Sequence, residues 1–311
     1  MVKLIRLYSN FNLRTEHKGS IILIGNFDGL HLGHQKLFAL AQHYKKKYSL
    51  KIGVLTFEPM PKMYFNKNIK NFRISNQKQK INILNKLNVD FVIIKKFNKK
   101  FSKIKSIDFI QNVLKKKLQA KFIFVSNNFR FGNKREGDVK QLIKFEKEKF
   151  NYKIIKPKPL LIKRKIVSSS LIRDYLQKGK LKEVNKLLNR HWSIEGKVQK
   201  GKQLGKKIGF PTANIDIKDY VLACPGVYAV RAKNTNGSRI VKGIANLGYR
   251  PTFNEKKILL EVHLFNFSGN LYNKDLTVEF LKFIRKEKKF RNIKQLQRQI
   301  KTDLLSAKKT K

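Results

Sequence analysis

Between residues 20 and 155 the chain repeats one pattern that leaves few folds open. Short, continuous apolar runs occur at Ser20–Gly25, Lys51–Phe57, Asp90–Ile94, Lys121–Val125 and Tyr152–Ile155. Between them lie longer stretches with apolar residues three and four apart, at Gln35–Tyr48, Gln77–Leu87, Ile107–Leu118 and Val139–Phe150. A strand that is apolar on both faces must be covered on both faces, and helices between successive strands supply that cover. The pattern predicts an α/β domain with a parallel sheet, in which ligands sit beyond the carboxyl ends of the strands.

The texture then changes. Residues 156–167, KPKPLLIKRKIV, carry two prolines and read as a connection, followed by short helices at Ser170–Gln177 and Leu181–Leu188. Beyond Arg190, short strands with Gly and Pro punctuation take over: Ser193–Gln199, Gly226–Ala232, Val241–Ala245, Leu259–Phe265 and Leu276–Phe283. They predict a mainly-β antiparallel barrel or sandwich closed by a helix around Ile293–Leu305. A boundary near residue 188 divides the 311 residues into domains 1–188 and 189–311.

Lys and Arg outnumber Asp and Glu by 71 to 20, a net charge of +51, which raises the possibility of a nucleic-acid partner. The lysines, however, are spread from Lys3 to Lys311 rather than gathered in one arm, so no specific nucleic-acid binding is expected, and the charge serves to attract phosphorylated small molecules. A lone cysteine, Cys224, excludes an intramolecular disulfide. No apolar run approaches the ~20 residues of a membrane span, and the charges in MVKLIRLYSN break any signal-peptide core, so a cytoplasmic protein without a membrane partner is expected.

The first strand runs into GNFDGLHLGHQ, residues 25–35. Gly25, Gly29 and Gly33 permit a tight turn, and His31 and His34 stand at the opening of a helix, where backbone N–H groups and two imidazoles can converge on a phosphate. Reaction at a nucleotide α-phosphate needs such donors, since charge builds on the oxygens and the departing pyrophosphate. Two surface histidines in a Gly-rich turn is the competing reading. TFEPMP (56–61) and SNNFRFGNKREGD (126–138) end the second and fourth strands at the same edge, the latter offering Asn128, Arg130 and Gly132, although each is also readable as an ordinary turn. VSSSLIRDYL (167–176) supplies Ser168, Ser169 and Ser170 with Arg173 one turn on: a capped helix or a second phosphate clamp.

In the second half, GKVQKGKQLGKKIGFPTANI (196–215) sets Gly201, Gly205 and Gly209 among lysines, a loop suited to phosphates, and leads into Thr212 and Asn214. Two apart on a strand, these share one face and offer hard oxygen ligands for Mg²⁺. A Gly/Lys-rich surface hairpin is the alternative. ANLGYRPTF (245–253) places Gly248, Arg250 and Pro251 in a turn between strands, and in LEVHLFNF (260–267) Glu261, His263 and Phe265 alternate with Val262, Leu264 and Asn266. Glu261 inside a small barrel could act as general base on a hydroxyl; facing solvent, it would be an ordinary surface carboxylate.

In this order the segments GNFDGLHLGHQ, TFEPMP, NNFRFGNKREGD and VSSSLIR, followed by the PTAN and N-x-G-x-R-P-T segments, resemble the bifunctional prokaryotic riboflavin kinase/FAD synthetase family. The resemblance runs from about residue 20 to 290. It implies a Rossmann-like nucleotidyltransferase domain followed by a six-stranded antiparallel barrel of the riboflavin kinase type. Riboflavin and ATP would give FMN, and FMN with a second ATP would give FAD and pyrophosphate without a covalent intermediate. His31 and His34 would stabilise phosphate, with Gly25, Asn26, Phe27, Asp28, Gly29 and Gly33 around the nucleotide, Asn128 beside the nucleotide or flavin, and Ser169 and Arg173 in a phosphate loop. In the barrel, Thr212 and Asn214 would hold Mg²⁺–ATP, Gly201, Gly205, Lys206 and Gly209 would surround its phosphates, Glu261 would be the base, and Arg250 would lie near the flavin or phosphates. Met60 stands where the family usually has His, and Ser126 where it usually has Gly, so a kinase with a weakened adenylyltransferase half is the runner-up reading, ahead of a basic nucleic-acid-binding protein.

Overall fold

The computed structural model describes residues 4–148, 151–201, 205, 208–217, 219–234, 237, 239–251 and 256–310, with backbone alone at 250, 251, 256 and 257. The chain forms two compact units, Met1–Ile69 with Gln77–Val167, and Lys70–Asn76 with Ser168–Lys311.

The first unit is built on a six-stranded sheet in the spatial order Arg6–Tyr8, Phe91–Lys96, Ile52–Glu58, Ile21–Ile24, Phe122–Phe124, Lys153–Ile155. Every neighbouring pair is parallel. Successive residues of one strand feed opposite layers: Ile21 and Leu23 join Leu37, Phe38, Ala41 and Leu84 on one face, while Ile22 and Ile24 join Phe109, Ile110, Val113, Leu114 and Leu142 on the other. Helices Leu32–Tyr48 and Gln77–Lys86 therefore cover one face, and Phe109–Lys117 and Val139–Lys147 the other. Strand order runs one way from Ile21–Ile24 to Phe91–Lys96 and the other way to Phe122–Phe124, so the switch point falls between Ile21–Ile24 and Phe122–Phe124. All five predicted strands and four predicted helices of this half are present within a few residues, although Phe109–Lys117 winds as a π-helix.

In the second unit six antiparallel strands close a barrel in the order Ser193–Gln199, Ala213–Asp216, Lys256–Leu264, Ile240–Pro251, Gly226–Asn234, Asp275–Lys286. A barrel, rather than a sandwich, is thus the outcome. Helix Ile293–Lys308 packs on it beside Val227, Ala229 and Ile244. Helices Ser169–Gln177 and Leu181–Leu188 belong to this unit, as does the segment Lys70–Asn76: Phe72 and Arg73 donate backbone N–H groups to Asp219 O at 3.0 and 2.8 Å, and Trp192 Nε1 donates to Ile74 O at 2.9 Å.

Candidate functional sites

The first site lies at the switch point. After Ile24 the chain makes the turn that carries GNFDGLHLGHQ, with Phe27, Gly29 and Leu30 at left-handed φ values of 48°, 76° and 41°. Such angles cost non-glycine residues of order 1–3 kcal/mol each, here offset by burial of Phe27 against Phe38 and of Leu30 in the core. His31 caps helix Leu32–Tyr48: its Nδ1 accepts from His34 N at 3.4 Å, which puts the ring proton on Nε2. Gly33 leaves little room for a side chain, because a Cβ would stand 3.1 Å from His31 Nδ1 and 3.2 Å from Val167 O.

The His31 and His34 rings stack with centroids 3.7 Å apart, and Phe27 meets His34 edge-on at 5.2 Å. Burial, then His31, then Lys80 hold the His34 imidazole well below its usual pKa, so His34 is neutral at physiological pH. Its Nδ1 is buried with no hydrogen-bond partner among the described residues. Asp28 is buried, as is the Phe27 side chain, which supports the turn from beneath. Asn26 accepts through its backbone oxygen from Thr56 Oγ1 at 3.4 Å.

Beside the turn opens a cleft of about 890 Å³ lined by Gly25, Asn26, Ser126 and Asn128. Asn128 Oδ1 accepts from Ser126 Oγ at 2.9 Å. Arg130 and Gly132, offered by the same segment, also line it, whereas its aromatic enclosure of Phe57, Phe65, Phe97, Phe101, Phe129 and Phe131, with Lys62, Lys134 and Arg135 at hand, is not marked by any motif. Only the alternation in Asn128-Phe129-Arg130-Phe131 hinted at it, the two rings stacking at 5.5 Å. Met60 is 2% exposed and does not line the cleft.

Ser168 is the N-cap of helix Ser169–Gln177, accepting from Leu171 N at 3.2 Å, so the capping role holds for that serine. Ser169 and Arg173 lie on the second unit, four apart and so on one helix face. Arg173 donates Nε–H to Phe72 O at 2.8 Å, with its guanidinium carbon 3.7 Å above the Phe72 ring.

The second site is on the barrel. Asn214 pairs in register with Glu261, and Glu261 in turn with Asn246, so three polar residues stand in a row on one face of three adjacent strands. Asn246 opens the N-x-G-x-R-P-T segment, in which Arg250 is the expected site residue. The sequence reading set Glu261 either inside the barrel or in open solvent, and neither holds. Leu260, Val262 and Leu264 are the buried set of that strand. Glu261 and His263 share the face of Ile244, the face that helix Ile293–Lys308 covers, and so line a cavity of about 670 Å³ on the outside of the barrel. Alternation fixed which residues share a face but not which face is inside.

Gly205, Phe210, Thr212, Asn246, Glu287, Phe290, Arg285 and Asp303 complete the walls of this cavity. His263 Nδ1–H donates to Pro211 O at 2.8 Å, anchoring the chain just before Thr212. Phe210 N donates to Gly205 O at 2.7 Å, which closes the loop, and Gly209 follows the turn with φ of 88°. Asn214 is 6% exposed, and its Oδ1 has no hydrogen-bond partner among the described residues. Gly201 lets the loop lie on that amide: a Cβ there would stand 2.5 Å from Asn214 Nδ2. A buried amide oxygen held without a donor is the kind of ligand a hard cation takes, and Thr212 Oγ1 is a second. Lys206 lies outside the described residues. Arg250 pairs through its backbone with Lys257, and its side chain is likewise outside the description.

Residues 13–171 match the family model described as FAD synthetase, and residues 188–311 the model described as riboflavin kinase. A bifunctional riboflavin kinase/FMN adenylyltransferase from Buchnera aphidicola subsp. Schizaphis graminum is 39% identical over 99% of this chain and 98% of its own length. One of the same name from Escherichia coli K12 is 35% identical over 98% and 97%. Among solved structures, one named as a macrolide-efflux protein from Streptococcus pneumoniae superposes with a TM-score of 0.85 at 26% identity, covering 99% of this chain and all of that one. Among the described residues no helix is long and apolar enough to cross a membrane. With both family models matched in order and full-length relatives well above 30% identity, the chain belongs to the bifunctional riboflavin kinase/FMN adenylyltransferase family.

Proposed function

We propose that the chain makes FAD from riboflavin in two ATP-dependent steps. At the barrel, the riboflavin 5′-hydroxyl attacks the γ-phosphorus of ATP, giving FMN and ADP. At the sheet edge, an FMN phosphate oxygen attacks the α-phosphorus of a second ATP; the bond to the β-phosphate breaks, and its electron pair leaves with pyrophosphate. The observation that carries the reading is Asn246 and Glu261, paired in register on one wall of the barrel cavity beside Thr212, with Asn214 the next partner of Glu261 and its buried amide oxygen without a hydrogen-bond partner among the described residues.

In the kinase step Glu261 takes the hydroxyl proton as general base. Thr212 and Asn214 would hold a divalent cation, Mg²⁺ by their oxygen chemistry, which when bound neutralises charge on the ATP phosphates. Gly201 and Gly205 set the loop against those phosphates, His263 fixes the chain at Pro211, and Lys206 and Arg250 are assigned by resemblance alone. In the adenylyl step His31 presents Nε2–H, and His34 acts as a neutral donor or acceptor. The flat flavin ring fits the aromatic enclosure, and Asn128 fits its polar rim. Ser169 and Arg173 are the proposed anion-binding pair of the same reaction. Residue 188 is the proposed boundary between the activities, because the matched segments leave 172–187 to neither. The site of action is the cytoplasm, in keeping with a single cysteine.

The test is chromatography of flavins after incubating the full chain with riboflavin, ATP and Mg²⁺. FMN should appear first and FAD after it. FMN accumulating alone would leave only the kinase, and no flavin product would overturn the reading.

A further inference from the structure

Lys80 has no place in the motifs, yet it is the only lysine that is buried among the described residues, at 3% exposure. It lies on helix Gln77–Lys86, four residues before the fully buried Leu84, and so on the helix face that turns to the core. A lysine kept there holds its ammonium largely out of water, where its charge acts more strongly on what lies beside it.

The ammonium points to the nucleotide edge of the sheet. Lys80 Nζ is 3.5 Å from Thr56 Oγ1, and Thr56 Oγ1 in turn reaches Asn26 O at 3.4 Å. Gly25 N donates to Leu55 O at 3.1 Å, so Thr56, within strand Ile52–Glu58, and Asn26, just past Ile24, lie side by side where the turn bearing His31 and His34 begins. The electrostatic pressure of Lys80 on His34 puts the two groups in one field.

The cleft beside the turn carries Lys62, Arg130, Lys134 and Arg135, but the turn GNFDGLHLGHQ itself holds no lysine or arginine. His34 is neutral, His31 uses one nitrogen to cap its helix, and Met60, where the family pattern has a third imidazole, is buried and apolar. We propose that Lys80 is a catalytic residue of FMN adenylyl transfer, its ammonium binding the phosphates of ATP and neutralising the charge that gathers on them as pyrophosphate departs. Lys80 moves no proton; it supplies fixed charge beside two imidazoles that supply hydrogen bonds. The inference rests on the adenylyltransferase reading of this site.

The experiment uses the full chain with Lys80→Met, Lys80→Gln and Lys80→Arg. FAD formation from supplied FMN is followed at varied ATP, with pyrophosphate as product inhibitor and FMN formation from riboflavin as the control. Loss of one preorganised donor of this kind lowers turnover by about 10²–10³-fold. Lys80→Met and Lys80→Gln should show that loss in kcat/KM for ATP, with weakened pyrophosphate inhibition, an unchanged KM for FMN and an unchanged kinase rate. Lys80→Arg should recover most of the activity. Neutral variants that keep FAD formation within about threefold, or keep wild-type pyrophosphate inhibition, overturn the proposal. If neither neutral variant folds, Lys80 is structural and the proposal also falls. A wild-type chain that makes no FAD from FMN would instead remove the adenylyltransferase reading before any variant is made.

Discussion

Arg285 grips Asp303 with two nitrogens: Nε donates to Oδ1 and Oδ2 at 3.0 and 2.9 Å, and Nη2 to Oδ2 at 2.7 Å. Asp303 is 3% exposed on helix Ile293–Lys308 and also accepts from Gln299 Nε2 at 2.9 Å. Arg285 further donates Nη1–H to Lys286 O at 2.9 Å, and the chain that follows supplies Glu287, Lys288, Lys289 and Phe290 to the barrel cavity. The pair thus ties one wall of the cavity to the terminal helix.

Breaking a buried ion pair from one side costs about 3–5 kcal/mol, because the other charge is left stranded. Asp303→Asn should loosen helix Ile293–Lys308, seen as faster amide exchange there, and raise the KM for riboflavin by about tenfold. FAD formation from supplied FMN should not change. Unaltered exchange and KM would mean the wall stands without the pair.

Glu261→Gln keeps the shape of the side chain and removes the base. FMN formation should fall by about 10²–10⁴-fold, the usual contribution of general base catalysis, while FAD formation from FMN continues. Equal loss of both reactions would show that the two sites are not independent. Steady-state rates of the two half-reactions decide this.

The first unit should weaken in mild acid. The fold keeps His34 neutral through burial, and burial also lowers His17, whereas the unfolded chain protonates both near 6.5. The unfolded state therefore takes up protons first, and stability present at neutral pH is lost as pH falls below about 6.5, by at most ~1.4 kcal/mol per pH unit for each histidine. Amide exchange of the strands Ile21–Ile24 and Ile52–Glu58 at pH 7.5 and 5.5 measures this. His34→Gln should flatten part of the dependence.

Met60→His restores the residue of the family pattern, but at a buried position that does not line the cleft. An imidazole buried there without a partner should cost about 1–3 kcal/mol and leave FAD formation no faster. A rise of threefold or more would show that position 60 reaches the reacting phosphates.

The sheet was legible because buried parallel strands such as Ile21–Ile24 must be apolar at every position, a signal that no loop imitates. The edge strand Arg6–Tyr8 escaped, since its three residues are exposed or half-buried and carry no such run. His31, His34, Thr212 and Asn214 could be proposed from the sequence because each sits in a short local motif. The place of Asn246 beside Glu261 and the ring of phenylalanines could not, since strand register and a cleft between loops bring together residues remote in the chain. Lys80 was hidden differently: in a chain this rich in lysine, one more on an amphipathic helix reads as solvated surface.

The segment Lys70–Asn76 also bears on how this protein could be divided. A fragment beginning at Ser168 contains every strand of the barrel but not its own inserted piece. Asp219 O would lose two donors, and the buried indole of Trp192 would lose the carbonyl of Ile74, a deficit of about 1–3 kcal/mol for that group alone. Single substitutions should separate the two proposed chemistries, but a single cut in the chain cannot: a free-standing barrel unit would have to carry the seven residues Lys70–Asn76 from within the first half.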